Sequence, residues 1–258
     1  MCLILFAYKD HPDYSMIVAA NRDEYYQRPT LALDFWEDAP DILAGRDLEA
    51  KGTWLGMSRT GRIAALTNFR GAAPPLTDPP SRGELIRDFL AGKTSPEDYL
   101  QRVRAMGHQY NGFNLLAGEG NALCHYSNRG SGVSDFKPGI YGLSNDTLGS
   151  QWPKIVKGKA GFARMISGET PLSVEALFEL LEDRSFPPDD ALPPDDPGRD
   201  MARIVSPLFV EGQHYGTRSS SVILIKKTGE VTFAERTFVH HEEGSVEQEI
   251  RKFEFVVQ

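Results

Sequence analysis

Met1-Cys2-Leu3-Ile4-Leu5-Phe6-Ala7-Tyr8 opens the chain. An unbroken apolar run of this length has the size of one strand and no polar face. A strand of that kind is covered on both sides, inside a layered fold. Its second residue is one of two cysteines in 258 residues. Cysteine is small enough for an aminopeptidase to remove the methionine before it. Cys2 would then carry a free α-amino group and a thiol on one residue. The amine titrates near ~7.7–8.0 and the thiol near ~8.5, so an amine partly neutral at pH 7 can take the thiol proton. On that reading Cys2 is a nucleophile with its own base. Position alone favours the plainer reading, a small inert residue at the start of a core strand.

Working outward, Lys9-Asp10-His11-Pro12-Asp13 is a turn and residues 15–20 are a second apolar run, so the chain starts as a hairpin of buried strands. Asn21-Arg22-Asp23-Glu24 follows and reads as a charged turn at the strand end, beside Cys2. Residues 52–58 and 62–69 flank Arg59-Thr60-Gly61 as another hairpin, and the prolines of 73–80 make a loop. Ser81 with Glu84 reads as a capping box opening a helix, with Leu85, Ile86, Phe89 and Leu90 on its apolar face. Ser95-Pro96 opens a second helix, lined by Tyr99, Leu100, Val103 and Met106. Strands are expected at 113–117, 122–126 and 140–145. Helices are expected from Pro153 to about Ile166 and after Ser173. Residues 183–200, rich in proline and aspartate, read as a surface loop or lid. Residues 219–226 and 230–239 form a hairpin. Arg251, Phe253, Phe255 and Val257 alternate as in an edge strand.

Composition narrows the function. Hydrophobic residues are 40% and charged residues 25% of the chain, an ordinary globular mix. A net charge of -8 with no basic stripe argues against nucleic acid as a partner. Two cysteines cannot build a disulfide framework, which fits a reducing, cytoplasmic compartment. No stretch approaches ~18 apolar residues, so no membrane span is expected. The six histidines show no metal-ligand spacing, and His240-His241 reads as a solvated pair. Gly52–Gly56 lacks the Lys and Ser or Thr of a phosphate loop. Cys124, inside a strand, reads as inert and Trp54 as core or pocket wall. No repeat or linker interrupts the chain, so residues 1–258 read as a single domain.

Polar features recur at strand ends: Cys2, the segment 21–24, Asn68, Asn145 and Tyr215-Gly216-Thr217-Arg218-Ser219-Ser220. Acyl transfer through a thiol needs such a set, namely a nucleophile, a base, an orienting group, oxyanion donors and a positive charge. Six motifs occur in order: Asn21-Arg22-Asp23-Glu24, Gly52-Thr53-Trp54-Leu55-Gly56, Leu66-Thr67-Asn68-Phe69-Arg70, Gly142-Leu143-Ser144-Asn145, Trp152-Pro153-Lys154 and Tyr215 to Ser220. Together they resemble the NRDE family, the transport and Golgi organisation protein 2-like proteins. That family is similar in turn to N-terminal nucleophile hydrolases of the choloylglycine hydrolase and penicillin V acylase type.

The resemblance implies an α+β fold, the four-layer αββα sandwich. It places Cys2 at the nucleophile position and Asp23 where an aspartate hydrogen-bonds the N-terminal amine. Asn68 falls where a backbone N–H serves the oxyanion, Asn145 where a side-chain amide is the second donor, and Arg218 where an arginine lies near the nucleophile. The chain departs from the acylases at Ala20, where they carry arginine. Arg22 is the available replacement, although neighbours on a strand face opposite ways. Two functions stay open. One is hydrolysis or transfer of an amide or thioester acyl group through acyl-Cys2. The other is non-catalytic haem or acyl-CoA and lipid binding and trafficking. The partner is a small acyl-bearing molecule. No cofactor is required, and haem is a possible ligand under the second reading.

Overall fold

The computed structural model describes residues 2–71, 74–168, 172–192, 199–240 and 246–257. In chain order its strands begin with β1 (Cys2–Tyr8), β2 (Tyr14–Tyr25), β3 (Thr30–Trp36), β4 (Ala39–Asp47), β5 (Leu55–Ser58) and β6 (Ile63–Asn68). Helices α1 (Arg82–Ala91) and α2 (Pro96–Met106) follow, then β7 (Phe113–Glu119), β8 (Ala122–Ser127), β9 (Val133–Asp135) and β10 (Gly139–Leu143). Helices α3 (Pro153–Ile166), α4 (Val174–Leu181) and α5 (Arg199–Ile204) precede β11 (Tyr215–Lys226), β12 (Glu230–His240) and β13 (Val246–Val256).

These elements make two compact units. The first comprises the chain up to Gln27, Pro138–Ser144 and Leu148–Glu254. Its sheet has the order β10-β1-β2-β11-β12-β13. Leu3, Leu5 and Ala7 of β1 and Ile17 and Ala19 of β2 pack with Ile155 and Phe162 of α3 and Leu177 and Phe178 of α4. Each leucine, isoleucine and phenylalanine among them contributes roughly 1.5–3 kcal/mol on burial. The alternate residues Ile4 and Phe6, on the opposite face of β1, are also buried. Burial on both faces is the physical reason for the unbroken apolar run. β13 lies at the sheet edge, with Arg251, Phe253 and Phe255 less exposed than their neighbours, as the alternation predicted.

The second unit comprises Arg28–Lys137, Asn145–Thr147 and Phe255–Gln258. Its seven strands run β3 to β9 in strict chain order, each antiparallel to the next. Leu85, Ile86 and Phe89 of α1 and Leu100 and Val103 of α2 pack with Ile42, Leu66 and Leu115 from the sheet.

Three sequence expectations need correction. Asn21-Arg22-Asp23-Glu24 is not a turn: β2 continues through it to Tyr25, because its buried polar groups find partners described below. Ser81 precedes α1 but makes no side-chain capping bond, so the capping box does not form; its carbonyl accepts from the Glu84 N–H at 3.3 Å. Ser95 and Ser173 do cap α2 and α4, accepting from Asp98 N and Ala176 N. Residues 183–200 are not all loop: a 3-10 turn spans Asp189–Ala191 and α5 begins at Arg199. Residues 193–198 of the expected lid, Ala73 of the proline loop, Met1 and His241 lie outside the described residues. Among the described residues no helix is long and apolar enough to cross a membrane.

Candidate active site

The β1–β2 register sets Cys2 directly opposite Arg22. Opposed residues of an antiparallel pair share a face, with Cβ atoms roughly 4.5–5.5 Å apart. Ala20 and Arg22, two residues apart, share that same face. Strand alternation therefore turns Asp23 away from Arg22, and leaves Arg22 on the same face as Ala20, the position where the resemblance implies an arginine. The Arg22 side chain is buried. The row continues into β11, where Ser219 stands opposite Arg22 with its hydroxyl buried and, among the described residues, without a hydrogen-bond partner. From the other side, Ser144 Oγ donates to the Cys2 carbonyl at 2.7 Å. Burial pushes the half-buried Cys2 thiol up from its ordinary pKa, and the Asp23 carboxylate adds to this. The Arg22 guanidinium and the backbone N–H of Asp23 pull it down.

Asp23 itself is fully buried, on the helix side of the sheet. Its Oδ1 accepts from Thr217 Oγ1 at 2.8 Å, and Oδ2 pairs with Lys154 Nζ at 3.4 Å. Both side chains of this ion pair have 0% exposure. Removing water from two charges is costly, and opposite charge plus hydrogen bonds must offset it. Asp23 O also accepts from Tyr215 OH at 2.9 Å. Asn21, on the same face, donates from Nδ2 to the carbonyls of Leu181 and Leu208, both at 2.8 Å, and accepts from Ser220 Oγ at 2.6 Å. The chain on either side of the proline- and aspartate-rich segment is thus tied to the residue next to Arg22.

Arg218 occupies a β-bulge. Thr217 pairs with Asp23 and Ser219 with Arg22, so Arg218 is the extra residue. A bulge re-aims the side chain it carries. Arg218 Nη1 donates to the carbonyls of Tyr25 and Tyr26 at 2.9 and 2.8 Å. Burial lowers its pKa, and the neighbouring Arg22 charge acts the same way. Gly216 lets this turn close: a Cβ there would lie 2.6 Å from the Val210 carbonyl. Thr217 N then donates to Val210 O at 2.8 Å, and Val210 N to Thr217 Oγ1 at 2.9 Å.

Asn68 and Asn145 belong to the seven-stranded unit and bond to each other there. Asn145 Nδ2 donates to Asn68 O at 2.6 Å, and Arg70 N donates to Asn145 O at 2.6 Å. Cys124 donates to Asp135 Oδ1 at 3.0 Å, and burial pushes its thiol up to about 12. Among the described residues no three His, Cys, Asp or Glu side chains gather as a metal site.

Lys154 and Ser144 were not among the site residues expected from the sequence. The signal for Lys154 was present: it follows Pro153 at the first turn of α3, where the helix dipole disfavours a cation. A lysine placed there needs a carboxylate, and Asp23 supplies it.

A solved structure of a Caenorhabditis elegans N-acylethanolamine-hydrolyzing acid amidase ortholog shares this fold. It covers 86% of this chain and 92% of its own, at 12% identity and a TM-score of 0.52. The fold is the α+β N-terminal nucleophile hydrolase type expected from the motifs. Residues 1–240 match the family Transport and Golgi organisation 2, and the chain belongs to that family. Relatives include the Transport and Golgi organization protein 2 homolog of Bos taurus, 39% identical over 93% of this chain and 94% of its own. The Homo sapiens homolog is 37% identical over the full length of both chains.

Proposed function

We propose that the chain hydrolyses or transfers the acyl group of an amide or thioester through an acyl-Cys2 intermediate. The observation that carries this reading is the placement of Cys2 opposite Arg22 in the β1–β2 register, one residue from an Asp23 held by Lys154 and Thr217. With Met1 removed, the Cys2 amine takes the thiol proton and the sulfur attacks the acyl carbonyl. The amine returns that proton to the leaving nitrogen or sulfur as the C–N or C–S bond breaks. Water, deprotonated by the same amine, then releases the acid; an amine or alcohol in its place completes a transfer. Asp23 anchors the amine. The Asn68 N–H and the Asn145 amide take the oxyanion, the roles their motifs imply. Arg218 shapes the end of β2 through the Tyr25 and Tyr26 carbonyls. The reaction needs no cofactor and suits a cytoplasmic protein.

One observation favours a second reading. Burial holds the Cys2 thiol above its ordinary pKa, which suits a carrier that binds haem, acyl-CoA or lipid without turnover. Screening amides, acyl-homoserine lactones and acyl-CoAs with wild type and Cys2→Ala, and titrating haem into both, separates the two. Acyl release that depends on Cys2 supports the hydrolase. Binding indifferent to Cys2, with no turnover, supports the carrier.

A further inference from the structure

A second constellation lies wholly within the seven-stranded unit, just past the end of β6. Phe69, Arg82, Asn111, Gly112 and Arg129, with two prolines at the rim, line a cleft of about 200 Å³. Gly112 is the point on which it is built. Its carbonyl accepts from Phe69 N at 2.8 Å and from Arg82 Nη1 at 2.9 Å, which fixes one guanidinium at the wall. A Cβ on Gly112 would lie 3.3 Å from Arg129 Nε and 3.0 Å from Phe69 Cβ, so only glycine lets the second guanidinium settle against the backbone without displacement. Among the described residues no acidic side chain lines the cleft, in a chain of net charge -8. Among the described residues Arg129 has no carboxylate partner. Arg82 is also the first residue of α1, so the positive end of that helix dipole adds to the two charges.

We propose that this cleft binds an oxyanion, the phosphate or carboxylate at the polar end of a ligand, through Arg82 and Arg129, with the Phe69 ring as its apolar wall. Two planar guanidiniums favour a ligand with several acceptor oxygens.

The test is calorimetric titration of pyrophosphate, and separately of succinate, into the full chain at low salt. Saturable binding of either anion is expected, and the tighter of the two names the source. Arg129→Ala should weaken it by about tenfold or more, and Arg129→Lys by less, since lysine keeps the charge but loses the fork. Arg129 is exposed, so the melting temperature should not move. Saturation of neither anion, or equal affinity in wild type, Arg129→Ala and Arg82→Gln/Arg129→Ala, would overturn the proposal. The alkylation rate of Cys2, measured on the same Arg129→Ala sample, should equal wild type. A failed cleft therefore leaves acyl-Cys2 chemistry standing, and failed acylation with anion binding intact leaves the cleft standing.

Discussion

Cys2 and Arg22 face each other across the first two strands, one residue from the buried Asp23–Lys154 pair. A cation opposite a thiol favours the thiolate, against the burial that raises the Cys2 pKa. Arg22→Ala should therefore raise that pKa further and slow iodoacetamide labelling of Cys2 at pH 7 by roughly tenfold. Arg22→Lys should recover part of the rate. Cys124, with its thiol near 12, is the internal control. An unchanged Cys2 rate in Arg22→Ala would remove Arg22 from the site.

The Asp23–Lys154 pair makes a stability prediction. Asp23→Ala strands a buried ammonium and should cost about 3–5 kcal/mol in urea denaturation. Asp23→Ala/Lys154→Met removes both charges and should recover most of that loss. Additive costs in the double mutant would mean the two groups do not depend on each other.

Asn145 separates a structural from a chemical role. Its amide donates to the Asn68 carbonyl, so Asn145→Ala should cost about 1 kcal/mol of stability. As an oxyanion donor it should cost roughly 10²–10³ in turnover on any acyl substrate found. Turnover that merely follows the folded fraction would leave Asn145 structural.

His125 carries a pH dependence. Its Nε2 is buried with no hydrogen-bond partner among the described residues, its ring lies against Phe136, and burial drives its pKa down to about 4. The unfolded chain takes up a proton near pH 6.5 and the folded chain only near 4. Stability is therefore unaffected above about pH 6.5 and is lost as pH falls from there to about 4, by roughly 3 kcal/mol in all. His125→Phe should lose this component, so the stability gap between pH 7 and pH 4.5 should be smaller in the variant. Equal gaps would contradict the buried neutral ring.

Much of this was legible in the residues. β1 announced itself because burial on both faces leaves no polar position to blur the run. The helices at Pro96 and Pro153 were marked by proline at the first turn. β3 and β4 were not legible: their register shifts between Leu31 and Asp34 and between Phe35 and Trp36, which breaks the period-2 pattern. β2 was cut short at Ala20 because buried polar strand residues look like a turn until their partners are known. Those partners, Lys154, Thr217, Leu181 and Leu208, lie more than a hundred residues away. The pairing of Arg22 with Cys2 is likewise a matter of register, which composition does not reveal.

Intact mass spectrometry of the purified chain, quenched in acid after exposure to acyl-CoAs and N-acyl amides, shows whether Cys2 carries the acyl group. A chain beginning at Cys2 that carries one acyl adduct is expected, with no adduct in Cys2→Ala. Full retention of Met1 in protein from its own host, or acyl turnover undiminished in Cys2→Ala, would contradict it.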